Sequence, residues 1–219
     1  MPTIGSRGVI WDLDGVILDS GNDHWQAWKA LAAETNVPFS EADFRKTFGQ
    51  RNADIIPKYW HTHDADEMQA LADRKESLYR ELLAENARAL PGALELLRKL
   101  HEDGWKQSLG SSAPMENIQL ILDLLDLRLL LDAVVSGEEA AQGKPAPDIF
   151  LAAARALGLS PVNCVVIEDA VAGVQAARAA GMRCIAVTNG TPNRELGVAD
   201  IVVSSLDELE LDRLMALVD

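Results

Sequence analysis

Short β-branched and aliphatic runs alternate along most of the chain with stretches of helical period. The runs cover residues 8–13, 105–110, 131–135, 163–167, 183–187 and 200–203. Helix punctuation lies between them. Pro91 opens a helix that Gly104 closes, Pro147 and Gly158 bracket another, and Gly181 ends a third. Strand and helix in alternation predict an α/β fold: a doubly wound parallel sheet with helices on both faces.

One interval breaks the alternation. Residues 21–87 carry helical periods and no convincing strand. Trp25, Trp28, Leu31 and Ala32 share one helical face, and Met68, Leu71, Ala72, Lys75, Leu78, Tyr79 and Leu82 trace another. The reading is an inserted helical subdomain over residues 21–87, with the α/β core formed by residues 1–20 and 88–219.

Composition narrows the function classes. The chain has 219 residues, 48% apolar and 25% charged, which suits a globular protein. The longest apolar run, residues 149–154, falls far short of the roughly 18 residues of a membrane helix. No membrane association is expected. Asp12 and Asp14 interrupt the one early apolar stretch, so no secretory signal is read. Cys164 and Cys184 lie in strand-like runs and are expected to be buried thiols in a reducing cytoplasm. The net charge of −14 opposes a polyanion, so nucleic acid is not an expected partner. A small anionic substrate then needs local positive charge or a metal.

Polar residues gather where strands end. The first run closes in Asp12-Leu13-Asp14-Gly15, the second in Gly110-Ser111-Ser112, and the fourth runs into Glu168-Asp169. Lys144 follows the third run and starts Lys-Pro-Ala-Pro. In a doubly wound sheet these carboxyl ends form the ligand crevice. Four acids converging there repel one another unless a cation sits among them. Oxygen ligands without a His or Cys cluster point to Mg²⁺. A cation, an ammonium and a hydroxyl flanked by loop N–H groups suit a phosphoryl group, whose equatorial oxygens carry charge in the transition state.

Asp12-Leu13-Asp14-Gly15-Val16, Ser111, Lys144-Pro145 and Glu168-Asp169 resemble, in order, the four motifs of the haloacid dehalogenase superfamily. The resemblance runs over essentially the whole chain and implies a Rossmann-like core with a helical cap. The insertion resembles the cap of the subgroup that holds β-phosphoglucomutase, phosphoglycolate phosphatase and small sugar-phosphate phosphatases. It implies Asp12 as the nucleophile that forms an aspartyl-phosphate, and Asp14 as general acid and base. A cap that closes and excludes water is expected to raise the Asp14 pKa. Mg²⁺ would be held by Asp12, the Asp14 backbone carbonyl and Asp169, with Glu168 direct or through water. Ser111 and Lys144 would hold the phosphoryl group, and the amides of Leu13 and Ser112 would line its pocket.

The insertion is expected to choose the substrate. Residues 19–31 are similar to the β-phosphoglucomutase segment after its first motif, where His24 would bond the general acid and Trp28 would pack near substrate. Phe48-Gly49-Gln50-Arg51-Asn52 resembles the cap loop that grips the distal part of the substrate. Arg51 is placed to fork onto a second phosphate or a carboxylate. Arg74-Lys75 resembles a cap pair whose lysine reaches substrate, and Lys75 on the apolar stripe agrees with an inward reach. Two departures favour hydrolysis over a sugar phosphomutase. Ser111-Ser112-Ala113-Pro114 is more like the phosphatases, and the mutase's cap-loop arginine is displaced by one position, with Asn52 nearest to it. A phospho-accepting signalling domain fits less well, because such domains lack the helical insertion. The expectation is a monomeric Mg²⁺-dependent phosphatase acting on a small phosphorylated metabolite.

Overall fold

The computed structural model describes residues 7–189 and 194–218. Six parallel strands form one sheet: β1 (Gly8–Trp11), β2 (Lys106–Gly110), β3 (Ala133–Val135), β4 (Cys164–Glu168), β5 (Arg183–Val187) and β6 (Ile201–Val203). They lie in the order β3-β2-β1-β4-β5-β6. The expected runs are all strands, trimmed at their ends. The first stops at Trp11, because Asp12 to Gly15 leave the ladder to build the site loop. This order differs from the 2-1-3-4-5 order of flavodoxin-like phospho-accepting domains.

Alternation along each strand divides the interior into two layers. Val9, Trp11, Val165, Ile167, Ile185 and Val187 face one cluster. Ile10, Cys164, Val166, Cys184 and Ala186 face the other. Helices α5 (Ala93–Glu102), α6 (Met115–Leu124) and α9 (Leu211–Val218) cover the first face, for example through Leu97, Ile121 and Leu214. Helices α7 (Asp148–Ala156) and α8 (Val171–Ala179) cover the second through Phe150 and Val174. Both free thiols are buried, as expected.

Between β1 and α5 run α1 (Gly21–Thr35), α2 (Glu41–Thr47), α3 (Asn52–Trp60) and α4 (Ala65–Asn86). Their own apolar cluster centres on Trp28, Leu31, Phe39, Phe44 and Ile56. The insertion is joined to the sheet layer through Ala27, Tyr79 and Leu83. On α4 the buried stripe ends in Leu83 rather than Leu82, which is only half-buried.

Candidate active site

Asp12, Ser111 and the Glu168-Asp169 pair sit at the carboxyl ends of β1, β2 and β4, and Lys144 comes from the loop between β3 and α7. β1 and β4 are neighbours, and the chain crosses from β1 to β2 on one side and reaches β4 on the other. Their shared end is therefore the switch point where the crevice opens. The Asp12 N–H extends their ladder by donating to the Ile167 carbonyl at 3.0 Å. Asp12 is thus held beside Glu168.

The loop beyond Asp12 turns back sharply. The N–H groups of Ile17 and Leu18 both donate to the Leu13 carbonyl, at 2.9 and 3.0 Å. Gly15 adopts φ +81°, and a Cβ there would stand 2.0 Å from Asp169 Oδ2. A second glycine makes room in the same way: a Cβ on Gly173 would stand 1.7 Å from Glu168 Oε1. Both carboxylates of the late acid pair depend on a missing side chain opposite.

Asp12, Glu168 and Asp169 each offer an oxygen within 4.8 Å of the others. Lys144 Nζ donates to Asp12 Oδ1 at 2.8 Å and also contacts Glu168 Oε1. Glu168 Oε2 accepts from the N–H groups of Asp169 and Ala170, at 2.8 and 2.7 Å. Burial raises the Asp12 carboxyl, Lys144 opposes and Glu168 adds to the rise, and the result is about 7. Asp169 is pushed well up by burial and by the charges of Glu168 and Asp12. Burial lowers Lys144, but Asp12 and Glu168 outweigh it and keep the ammonium charged.

These observations test the fit for a cation. The donors are hard oxygens, two of the carboxyls are held up by burial and mutual repulsion, and Asp169 Oδ1 is buried with no hydrogen-bond partner. A small divalent ion answers each of them, so the residues fit Mg²⁺. Glu168 has both oxygens engaged, which suits contact through water rather than direct ligation.

Asp14 departs from expectation in two ways. Its carboxylate is not part of the acid cluster, which among the described residues holds three acids and not four. It turns to the insertion, where Oδ1 faces His24 Nε2 at 3.1 Å and accepts from the Tyr79 hydroxyl at 3.3 Å. Its pKa is also not raised. Burial does push it up, but the charge and hydrogen bond presented by His24, with Lys75 behind it, win and hold the carboxyl at about 2.

A buried chain of polar groups continues from there. Lys75 Nζ lies 2.8 Å from His24 Nδ1 and 2.9 Å from Glu76 Oε1. Asn52 Nδ2 and Asn117 Nδ2 donate to the two Glu76 oxygens at 2.7 and 2.6 Å. Asn117 belongs to α6 on the sheet, so Glu76 ties the insertion to the core. Sequence reasoning missed Tyr79, Glu76 and Asn117 as site residues. Tyr79 sits on an apolar stripe and reads as core, yet its ring stacks on His24 at 3.8 Å. Nothing local marks Glu76 or Asn117 as buried.

A cavity of about 280 Å³ lies over Asp14, between the insertion and the strand ends. His24, Trp28, Arg51, Asn52, Lys75 and Ser112 all line it. Ser111 is buried beneath, its Oγ accepting from the Ala113 N–H at 3.1 Å. Leu13 is fully buried in the sheet layer. Arg74 turns outward to Glu34, leaving Lys75 as the inward member of that pair. Arg51 does not stand free for a substrate anion. Its Nε and NH2 donate to Asp54 at 2.9 and 3.2 Å, and NH1 donates to the Ala140 carbonyl at 3.0 Å.

Comparison with known proteins agrees with this geometry. The family model for haloacid dehalogenase-like hydrolases matches residues 7–181. A β-phosphoglucomutase of Bacillus subtilis is 36% identical over 216 residues, 95% of this chain and 93% of its own length. A fructose-1-phosphate phosphatase of Escherichia coli is 33% identical, covering 82% of this chain and 95% of its own length. The crystal structure of a β-phosphoglucomutase from Clostridium difficile superposes with a TM-score of 0.89 at 27% identity, covering 97% of each chain.

Proposed function

The chain belongs to the haloacid dehalogenase-like hydrolases and is an enzyme of the phosphatase and phosphomutase type; from that premise we propose that it is a Mg²⁺-dependent phosphatase of small sugar-phosphate monoesters. One observation carries the reading: Asp12, Glu168 and Asp169 converge beside Lys144, and Asp14, two residues beyond Asp12, lines the cavity next to them.

Asp12 attacks phosphorus in line, a P–O bond forms to its carboxylate, and the bond to the substrate oxygen breaks. Lys144 holds Asp12 in place and balances charge on the transferring group. The Ser111 hydroxyl and the amides of Leu13 and Ser112 donate to its oxygens. Asp14 protonates the leaving alkoxide and later takes a proton from the attacking water. A low-lying, ionised Asp14 suits that second role; the first needs the carboxyl protonated, as burial favours once the leaving oxygen takes the place of His24 beside it. Mg²⁺, held by Asp12, Asp169 and the Asp14 carbonyl, with Glu168 through water, would supply charge neutralisation at the phosphoryl oxygens. The insertion acts as a cap, residues 21–87 over a core of residues 1–20 and 88–219. His24, Trp28, Arg51, Asn52 and Lys75 form its substrate-facing surface. Among the described residues no helix is long and apolar enough to cross a membrane. The buried free thiols suit a reducing cytoplasm.

A sugar phosphomutase is the second reading, favoured by the 36% identical relative of that name. The Ser111-Ser112-Ala113-Pro114 run and the displaced Arg51 support hydrolysis instead. The test supplies β-glucose 1-phosphate with Mg²⁺ and a trace of the 1,6-bisphosphate. Hydrolysis predicts inorganic phosphate in step with substrate loss. Glucose 6-phosphate without matching phosphate release overturns it in favour of the mutase.

A further inference from the structure

The cavity over Asp14 has three basic side chains in its lining, His24, Arg51 and Lys75, and no others among the described residues. Each is already engaged. His24 bridges Asp14 and Lys75, and Lys75 is paired with Glu76. Arg51 spends one N–H of each nitrogen, two on the Asp54 carboxylate, which neutralises its charge, and one on the Ala140 carbonyl. The pair is pressed onto the loop that leads to Lys144. A Cβ on Gly143 would stand 2.5 Å from Asp54 Oδ2 and 2.7 Å from Arg51 Nε.

Around the cavity the four carboxylates of Asp14, Asp54, Glu76 and Glu138 outnumber the three basic groups of His24, Arg51 and Lys75. A second anion on the substrate would lose water and find no unpaired cation, while facing like charge. An uncharged, hydroxylated remainder meets something else. Trp28, Phe44 and Phe48 offer ring faces, and Thr47, Gln50 and Gln69 offer neutral polar atoms. Apolar walls with a few polar groups are what orient a small neutral ligand.

We propose that the enzyme selects phosphate monoesters whose remainder is uncharged and polyhydroxylated, and discriminates against a second anionic group, with Asp54 as the specificity-determining residue because it neutralises Arg51. The proposal rests on the hydrolytic reading and deepens it. It also gives the hydrolytic reading a cause, since a mutase must hold a second phosphate in this cavity.

The experiment measures kcat/KM with Mg²⁺ for four esters: glucose 1-phosphate, sorbitol 6-phosphate, phosphoglycolate and glucose 1,6-bisphosphate, with p-nitrophenyl phosphate as control. The neutral-remainder esters are expected to exceed the doubly anionic ones on the order of tenfold or more. The gap should narrow as salt is raised, because it is Coulombic. Asp54→Asn should shrink it further by releasing Arg51, chiefly through KM for the doubly anionic esters. A parent enzyme that prefers phosphoglycolate or the bisphosphate overturns the proposal, whatever the variant does. An unchanged ratio in a folded Asp54→Asn overturns the role of Asp54. Failure to hydrolyse any ester, p-nitrophenyl phosphate included, overturns the hydrolytic reading itself.

Discussion

At the scale of single residues, Asp12 is held between two opposing pressures. Burial and Glu168 lift its carboxyl to about 7, although Lys144 stands 2.8 Å away. The folded, metal-free chain therefore keeps a proton that the unfolded chain releases near pH 3.8, so its stability falls as pH rises from there to about 7. A divalent ion competes with that proton for the same oxygens. Mg²⁺ should raise the melting temperature of metal-free protein more at pH 8 than at pH 5. Equal shifts at the two pH values would remove Asp12 and Asp169 as ligands. Asp12→Asn should lower turnover by on the order of 10⁴ or more, as loss of a nucleophile does. Its circular dichroism and melting temperature should stay near those of the parent, since the change removes a buried charge and little volume. Activity within a few-fold of the parent would refute Asp12 as the nucleophile.

Single elements set the geometry that single residues use. Helix α4 carries Lys75, Glu76 and Tyr79 on adjoining turns, and its register decides what Asp14 meets. Glu76 satisfies Lys75, Asn52 and Asn117 at once in a buried setting. Glu76→Ala leaves an ammonium and two amides without their acceptor, and should cost about 3–5 kcal/mol in a denaturant melt. A loss below about 1 kcal/mol would mean water replaces the carboxylate freely. In α8 the contest is between propensity and space. Gly173→Ala gains about 1 kcal/mol of helix propensity. The added methyl overlaps Oε1 of the Glu168 carboxylate, which Lys144 holds at Oε1 and two backbone amides hold at Oε2. The overlap should win, lowering both melting temperature and activity. A more stable, fully active variant would show that Glu168 has room to move.

Across the whole molecule, strand order gathers the site. With β1 and β4 adjacent, Asp12 and the Glu168-Asp169 pair, far apart in sequence, become neighbours. The chemistry assembled there should depend on a divalent ion. EDTA should abolish phosphate release and Mg²⁺ should restore it, while undiminished activity in EDTA would refute the metal assignment.

The sequence by itself determined the strand-forming runs, the helical insertion after the first of them and the polar residues at strand ends. Those features are written in local period and punctuation, which neighbouring residues impose on one another. Asp12, Ser111, Lys144, Glu168 and Asp169 were legible because chemistry at a strand end is conspicuous against an apolar run. Only the tertiary structure decided the pairings. It turned Asp14 away from the other acids toward His24 and Tyr79, gave Lys75 its partner Glu76, and closed Arg51 onto Asp54 and Ala140. Whether a cation is free or spent depends on which carboxylate the fold brings within hydrogen-bond reach, and no period along the chain encodes that.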